Sequence, residues 1–213
     1  MNFIYFNWTP ILFPFFAGLF LLKYFNKSLK LAFYFVCFGT FTEVLARLLI
    51  WLADVNNTMP VNNIYSIGSF ILLFALYYYV LNDFVNRRVF LLLSAAFTIY
   101  WLIHSLFIQS IFEFPDLPRA IGNIYITILS IIYFYKVMLE AKIIKLAREP
   151  FIWINTSILI YYTGNLFFYI LFNLILDYSR EFSKITVIYF SLLNALFYFL
   201  IGIGFLKVNK SPD

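Results

Sequence analysis

Seven apolar runs of membrane-spanning length, separated by short polar breaks, constrain this chain more than any other feature. They fall at 9–25, 31–53, 62–82, 89–112, 120–141, 151–176 and 185–206. A helix needs about 20 residues to cross the hydrocarbon core of a bilayer. Seven spans therefore use nearly all 213 residues and leave no room for a second domain. The expected fold is all-α: a polytopic integral membrane protein whose single seven-transmembrane-helix bundle occupies 1–213. With 64% hydrophobic and only 12% charged residues, the chain has too little charge to coat a soluble surface. Helices joined by short loops satisfy their backbone hydrogen bonds internally, as hydrocarbon demands. The breaks, among them Asn26-Lys27-Ser28, Asn82-Asp83 and Arg148-Glu149-Pro150, carry turn and charge signals.

Basic residues set the expected orientation. Lys23, Lys27 and Lys30 flank the first connection, Arg87 and Arg88 lie in the third, and Lys136, Lys142, Lys145 and Arg148 flank the fifth. Lys207 and Lys210 follow the last span. The alternate connections hold only Arg119, Arg180 and Lys184, beside Asp54, Glu113, Asp116, Asp177 and Glu181. The positive-inside rule then gives N-out, C-in, multi-pass in a bacterial cytoplasmic (inner) membrane. That role accounts for the net charge of +5, so the lipid bilayer is the expected partner and nucleic acid is not. Trp8, Trp51, Trp153 and Tyr178 lie near span ends and suit interfacial anchoring. The first ten residues lack a basic n-region and a cleavage site, and read as a mature start.

A weak internal similarity suggests a 3+1+3 plan of two parallel halves around an odd linker helix. Thr42-Glu43-Val44-Leu45 in the second span resembles Thr163-Gly164-Asn165-Leu166 in the sixth, and Ile64-Tyr65 in the third resembles Ile188-Tyr189 in the seventh. Parallel repeats of this kind occur in some membrane proteins.

Ionisable residues inside spans are costly and face the bundle interior. Three stand out here: Glu43 and Arg47 in the second span and His104 in the fourth. Glu43 and Arg47 are four apart on one helix face and are expected to pair. At about 1.5 Å per residue, Glu43, Arg47, His104 and Asn165 fall roughly 18–24 Å from the cytoplasmic ends of their spans. Polar stripes converge on that depth. The third span aligns Tyr65 and Ser69; the fourth, Ser94, Thr98, Trp101 and Ser105 beside His104; the fifth, Asn123, Thr127 and Ser130. The sixth aligns Asn155, Tyr162, Asn165, Tyr169 and Asn173, and the seventh Ser191, Asn194 and Tyr198. Such stripes serve as interhelical hydrogen-bond glue. Their convergence also predicts a polar, aromatic-lined cavity open to the outside, with Glu43, Arg47, Tyr65, Ser69, Trp101, His104, Tyr162, Asn165 and Asn194 as its ligand-binding residues.

Several chemistries lack their residues. A retinal Schiff base needs a mid-membrane lysine in the last span, and none lies between Lys184 and Lys207. Zincin-type metal binding needs two nearby histidines, and His104 is the only one. A Ser-His-Asp triad lacks a membrane-embedded Asp. Cys37 is the single cysteine, so a disulfide framework is excluded. No cofactor is implied.

Glu43-x-x-x-Arg47, Tyr100-x-x-x-His104 and Phe190-x-x-x-Asn194 resemble the motifs of the CAAX-protease/bacteriocin-processing family of intramembrane enzymes. The resemblance implies water activation by a Glu and a His. Thr42 stands where that family has its first glutamate, and Phe190 where it has its second histidine. Over most of its length the chain also resembles a group of small seven-transmembrane-helix membrane proteins of Bacteroidota. The similarity lies in Asn26-Lys27-Ser28-Leu29, the stretch 42–47, Trp153-Ile154-Asn155-Thr156, the stretch 161–165 and the tail 194–207. That group has a carboxylate in the third span, where this chain has Gly68-Ser69, and it implies architecture without an activity.

Three functions compete on these residues. The first is a sensory or signalling module that binds a small amphiphilic ligand in the outward cavity and acts on a cytoplasmic signalling partner. The second is a small-solute transporter of 3+1+3 plan, and the third an intramembrane hydrolase.

Overall fold

The computed structural model describes residues 9–55, 57–113, 115–140, 145–176 and 180–209, without the side chains of 116, 167–176, 180–184, 186 and 187. Among the described residues all regular structure is helical. Seven α-helices follow in order: α1 Leu12–Leu21, α2 Lys27–Ala53, α3 Met59–Val80, α4 Arg87–Ile103, α5 Asp116–Glu140, α6 Pro150–Leu176 and α7 Arg180–Leu206. A π-helical segment, His104–Ile108, extends α4, and short 3-10 turns flank α1.

The helix ends follow from local chemistry. Asn26 caps α2 by accepting from the Leu29 N–H at 3.0 Å, and Asn86 caps α4 by accepting from the Arg88 N–H at 3.0 Å. Proline opens α3 and α6, where a missing N–H costs nothing. α2 stops because Asp54 turns left-handed (φ 47°), a conformation that the short polar Asp tolerates. The Val55 N–H then reaches back to the Leu49 carbonyl.

Among the described residues, five stretches are long and apolar enough to cross a membrane: Lys27–Ala53, Met59–Val80, Arg87–Ile108, Leu117–Glu140 and Ile188–Leu206. Thr9–Tyr24 is a shorter apolar helix. The first expected span is shorter than the rest because Leu21 leaves helical geometry (ψ 0°) and the chain tightens into a 3-10 turn. Large apolar side chains point outward all round the bundle, for example Phe20 at 77% exposure and Phe107 at 82%. Such a surface is far more apolar than water tolerates, so the chain has the character of a multi-pass helical membrane protein.

The helices close into a ring. α2 packs on α3, α3 on α5, α5 on α6, α6 on α7, α7 on α1, and α1 on α2, while α2 also meets α6 across the middle. α4 lies outside this ring, packed on α3 and α5 only among its substantial contacts. Successive helices run in opposite directions, so the bundle has two ends.

One half of the bundle is densely filled. Phe205 is fully buried between Phe25 (ring centroids 4.9 Å) and Phe33 (6.2 Å), joining α7 to the start of α2. Beside them Asn155 of α6 ties three helices together. Its Oδ1 accepts from the Tyr77 hydroxyl at 2.6 Å, and its Nδ2 donates to the Ser130 carbonyl at 3.1 Å. The Ser130 hydroxyl returns a bond to the Asn155 carbonyl at 3.2 Å. Lys136 reaches the Val80 carbonyl at 2.8 Å and so caps the end of α3. Asn155 and Ser130 thus act as glue between helices.

Candidate functional site

In the other half the stripes stay open. A cavity of about 400 Å³ lies within the ring, lined by five helices. α2 contributes Gly39, Thr42, Glu43, Ala46, Arg47 and Ile50. That three-and-four spacing keeps them on one face. α3 contributes residues from Thr58 to Phe70 at the same spacing, including Tyr65 and Ser69. Arg119 and Asn123 come from α5, Tyr161, Tyr162 and Asn165 from α6, and Asn194 and Tyr198 from α7. These are the C-terminal half of α2, the N-terminal halves of α3 and α5, and the middles of α6 and α7. The cavity therefore sits toward the end of the bundle that carries the α2–α3 connection. Lys23, Lys27, Lys30, Arg87, Arg88 and Lys207 lie at the opposite end.

Seven of the nine expected binding residues line this cavity: Glu43, Arg47, Tyr65, Ser69, Tyr162, Asn165 and Asn194. Trp101 and His104 do not, because α4 stands outside the ring. Phe70 fills the space between. Its ring lies 5.0 Å from Trp101 and 6.0 Å from Tyr162, so one face meets the cavity wall and the other meets α4. Trp101 is 1% exposed and packs on Phe97 at 5.6 Å. His104 is buried at the start of the π-helical segment, 5.9 Å from Tyr100. Tyr169 and Asn173, expected on the sixth-span stripe, lie outside the described side chains.

Phe70 can sit there because α5 carries a glycine opposite it. A Cβ on Gly122 would meet the Phe70 ring at 2.6 Å. Gly122→Ala is accordingly expected to push that ring off its rotamer and to destabilise the protein by about 1–3 kcal/mol. Thermal unfolding in detergent checks it, and an unchanged midpoint would contradict the tight contact.

Two further departures from expectation concern charge. Glu43 and Arg47 line the cavity together, but the one ion pair within 4.0 Å among the described residues joins Lys136 to Glu140. The Arg47 charge acts on Glu43 through space without a direct bond. Arg119, expected in a loop, is instead in the first turn of α5, 8% exposed, with its guanidinium donating to the Asn62 carbonyl at 3.3 Å. The signal was present in the sequence: Arg119 extends the Asn123, Thr127, Ser130 stripe by one turn.

Polar groups in the wall divide into satisfied and unsatisfied. Thr42 bonds back to the Phe38 and Gly39 carbonyls at 3.1 and 3.0 Å. Asn63, just outside the cavity, ties α3 to the α4–α5 connection by donating to the Ile111 carbonyl at 2.7 Å. In contrast, Ser69 Oγ, Asn123 Nδ2 and Asn165 Oδ1 are buried without a hydrogen-bond partner. Buried polar atoms are nearly always paired, and these three are exceptions on residues of the cavity wall. No group of three His, Cys, Asp or Glu suited to a metal ion occurs among the described residues. Glu43 and His104, which hydrolysis of the CAAX-protease type would pair, are separated by the Phe70 wall. No family model, curated protein or solved structure matches the chain.

Proposed function

We propose that this chain is a seven-span sensory module, N-terminus outside, that binds a small amphiphilic ligand in its outward cavity. One observation carries the reading: polar stripes from five helices converge on one cavity at the end remote from the basic residues. By the positive-inside rule the basic end is cytoplasmic, so the cavity faces outward. Tyrosines and Phe70 supply an apolar wall for a tail, and the buried amides and charged groups supply partners for a head group. The inner half is closed by the Phe25–Phe33–Phe205 cluster and the Asn155 network, which favours signal transfer over flux. Phe70 offers the route: a ligand that displaces its ring moves Trp101 and with it α4, whose attachment to the ring is slight. The resulting shift at the cytoplasmic helix ends would be read by a signalling partner there.

Three cysteine variants test this in a Cys37→Ser background. Ala46→Cys lines the cavity and is expected to react with a membrane-impermeant thiol reagent from outside. Glu113→Cys should react likewise, and Asp83→Cys should not. Labelling of Asp83→Cys in intact cells would reverse the orientation, and an unreactive Ala46→Cys would remove the outward cavity.

A small-solute transporter is the second reading, favoured by the symmetry of the packing. Exchanging α1, α2 and α3 for α5, α6 and α7 maps α2 on α3 to α6 on α7, and α3 on α5 to α7 on α1, with α2 and α6 facing each other at the centre. Each half also brings a tyrosine of its third helix against a glycine of its middle helix. A Cβ on Gly39 would lie 3.4 Å from the Tyr65 ring, and the Tyr189 hydroxyl lies 3.4 Å from the Gly164 carbonyl. These pairings support a 3+1+3 plan with α4 as the odd helix. Solute flux in proteoliposomes would favour it over sensing.

A further inference from the structure

Building on that binding reading, we infer that the group recognised in the cavity is a small zwitterion, one ammonium and one oxyanion. The wall is built for both charges. Glu43 is exposed to the cavity and makes no hydrogen bond or direct ion pair among the described residues. Asn165 Oδ1, on a side chain only 1% exposed, accepts nothing. Both are acceptors without a bonded N–H donor, and a carboxylate that no cation touches directly in a membrane-embedded cavity favours one there. The rings of Tyr65 and Tyr162 in the same wall add the aromatic faces that ammonium groups favour.

The donors lie elsewhere in the wall. Arg47 is one turn beyond Glu43 on α2, about 6 Å nearer the mouth of the cavity. Arg119 opens α5 near the same end. Asn123 Nδ2, one turn inward from Arg119 on a side chain 4% exposed, is a buried donor without an acceptor. Guanidinium groups and an amide N–H suit a carboxylate or phosphate. A simple anion would meet Glu43 at like charge, and a simple cation would meet two arginines. A molecule with its oxyanion toward the mouth and its ammonium deeper satisfies both sets. The same chemistry is offered by a free amino acid and by a lipid headgroup that joins a primary amine to a phosphate.

The test uses the purified full chain and reads its thermal unfolding midpoint. In the soluble arm each common amino acid is compared with its decarboxylated amine and its deaminated acid. In the lipid arm, nanodiscs of phosphatidylethanolamine are compared with nanodiscs of phosphatidylglycerol. An amino acid, or phosphatidylethanolamine, is expected to stabilise the protein, with each single-charge counterpart at least roughly tenfold weaker. Glu43→Gln preserves size and is expected to weaken that response by roughly tenfold to a hundredfold and to abolish the preference over the deaminated acid. A response in the soluble arm assigns a free solute, and one in the lipid arm alone assigns a headgroup. Deaminated acids as effective as amino acids, an indifferent Glu43→Gln, or silence in both arms overturns the zwitterion. If Ala46→Cys is still labelled from outside in those cases, the binding cavity itself survives; if it is not, both readings fall.

Discussion

Replacing Asn155 with leucine is expected to destabilise the protein by about 2–4 kcal/mol, because two buried groups lose their partners at once. The Tyr77 hydroxyl is fully buried and donates to the Asn155 side chain at 2.6 Å; the Ser130 carbonyl accepts from it at 3.1 Å. Interhelical hydrogen bonds in membranes average only about 0.6 kcal/mol, since the unfolded segments find other partners. This site exceeds that average because its groups are enclosed by three helices, and leucine offers them nothing. Tyr77→Phe alone removes the donor together with its need and should cost less. The double variant should then be more stable than the sum of the two single effects predicts, by about 0.5–3 kcal/mol. Unfolding in mixed micelles measures all three. Strict additivity would show that the bond between Tyr77 and Asn155 contributes little.

Phe70→Ala is expected to have an effect of similar or larger size, about 3–5 kcal/mol, and to alter the cavity as well. The ring touches Phe74, Phe97, Trp101 and Tyr162, and its neighbour Gly122 cannot fill the space it leaves. Its removal would join the cavity to the buried edge of α4. In a variant whose Trp8, Trp51 and Trp153 are replaced by phenylalanine, the fluorescence of Trp101 should become quenchable by an aqueous agent. Unchanged quenching would mean that Phe70 is not the partition between cavity and α4.

Much of this architecture could be read along the chain because hydrophobic runs report helices directly. The expected 31–53, 62–82 and 151–176 lie within about four residues of α2, α3 and α6 at each end. Which residues share a helix face was also legible, since it depends only on the 3.6-residue period. This is why Tyr65 and Ser69, or Glu43 and Arg47, meet the same cavity. Which helices are neighbours is not encoded in any local pattern. Trp101 and His104 have the right depth and the wrong azimuth, because nothing in the fourth span announces that α4 packs outside the ring. Arg119 failed in the opposite way. Counting it as a loop charge served the orientation rule but hid its place one turn ahead of Asn123. That Glu43 and Arg47 make no direct ion pair with each other was also invisible, since spacing shows which groups are within reach and not where each points.

The closing of the ring by α1 against α7 bears on how the chain is made. α7 follows the other six helices out of the ribosome, yet Asn194 and Tyr198 form part of the cavity wall. Until it arrives, the faces of α1 and α6 that it will cover remain open to lipid or to whatever escorts the nascent chain. Glu43, Arg47 and Arg119 have by then entered the membrane with one side of their enclosure missing. The half-built bundle thus displays charged groups that the finished one shelters, a difference by which membrane quality control can tell an incomplete copy from a complete one.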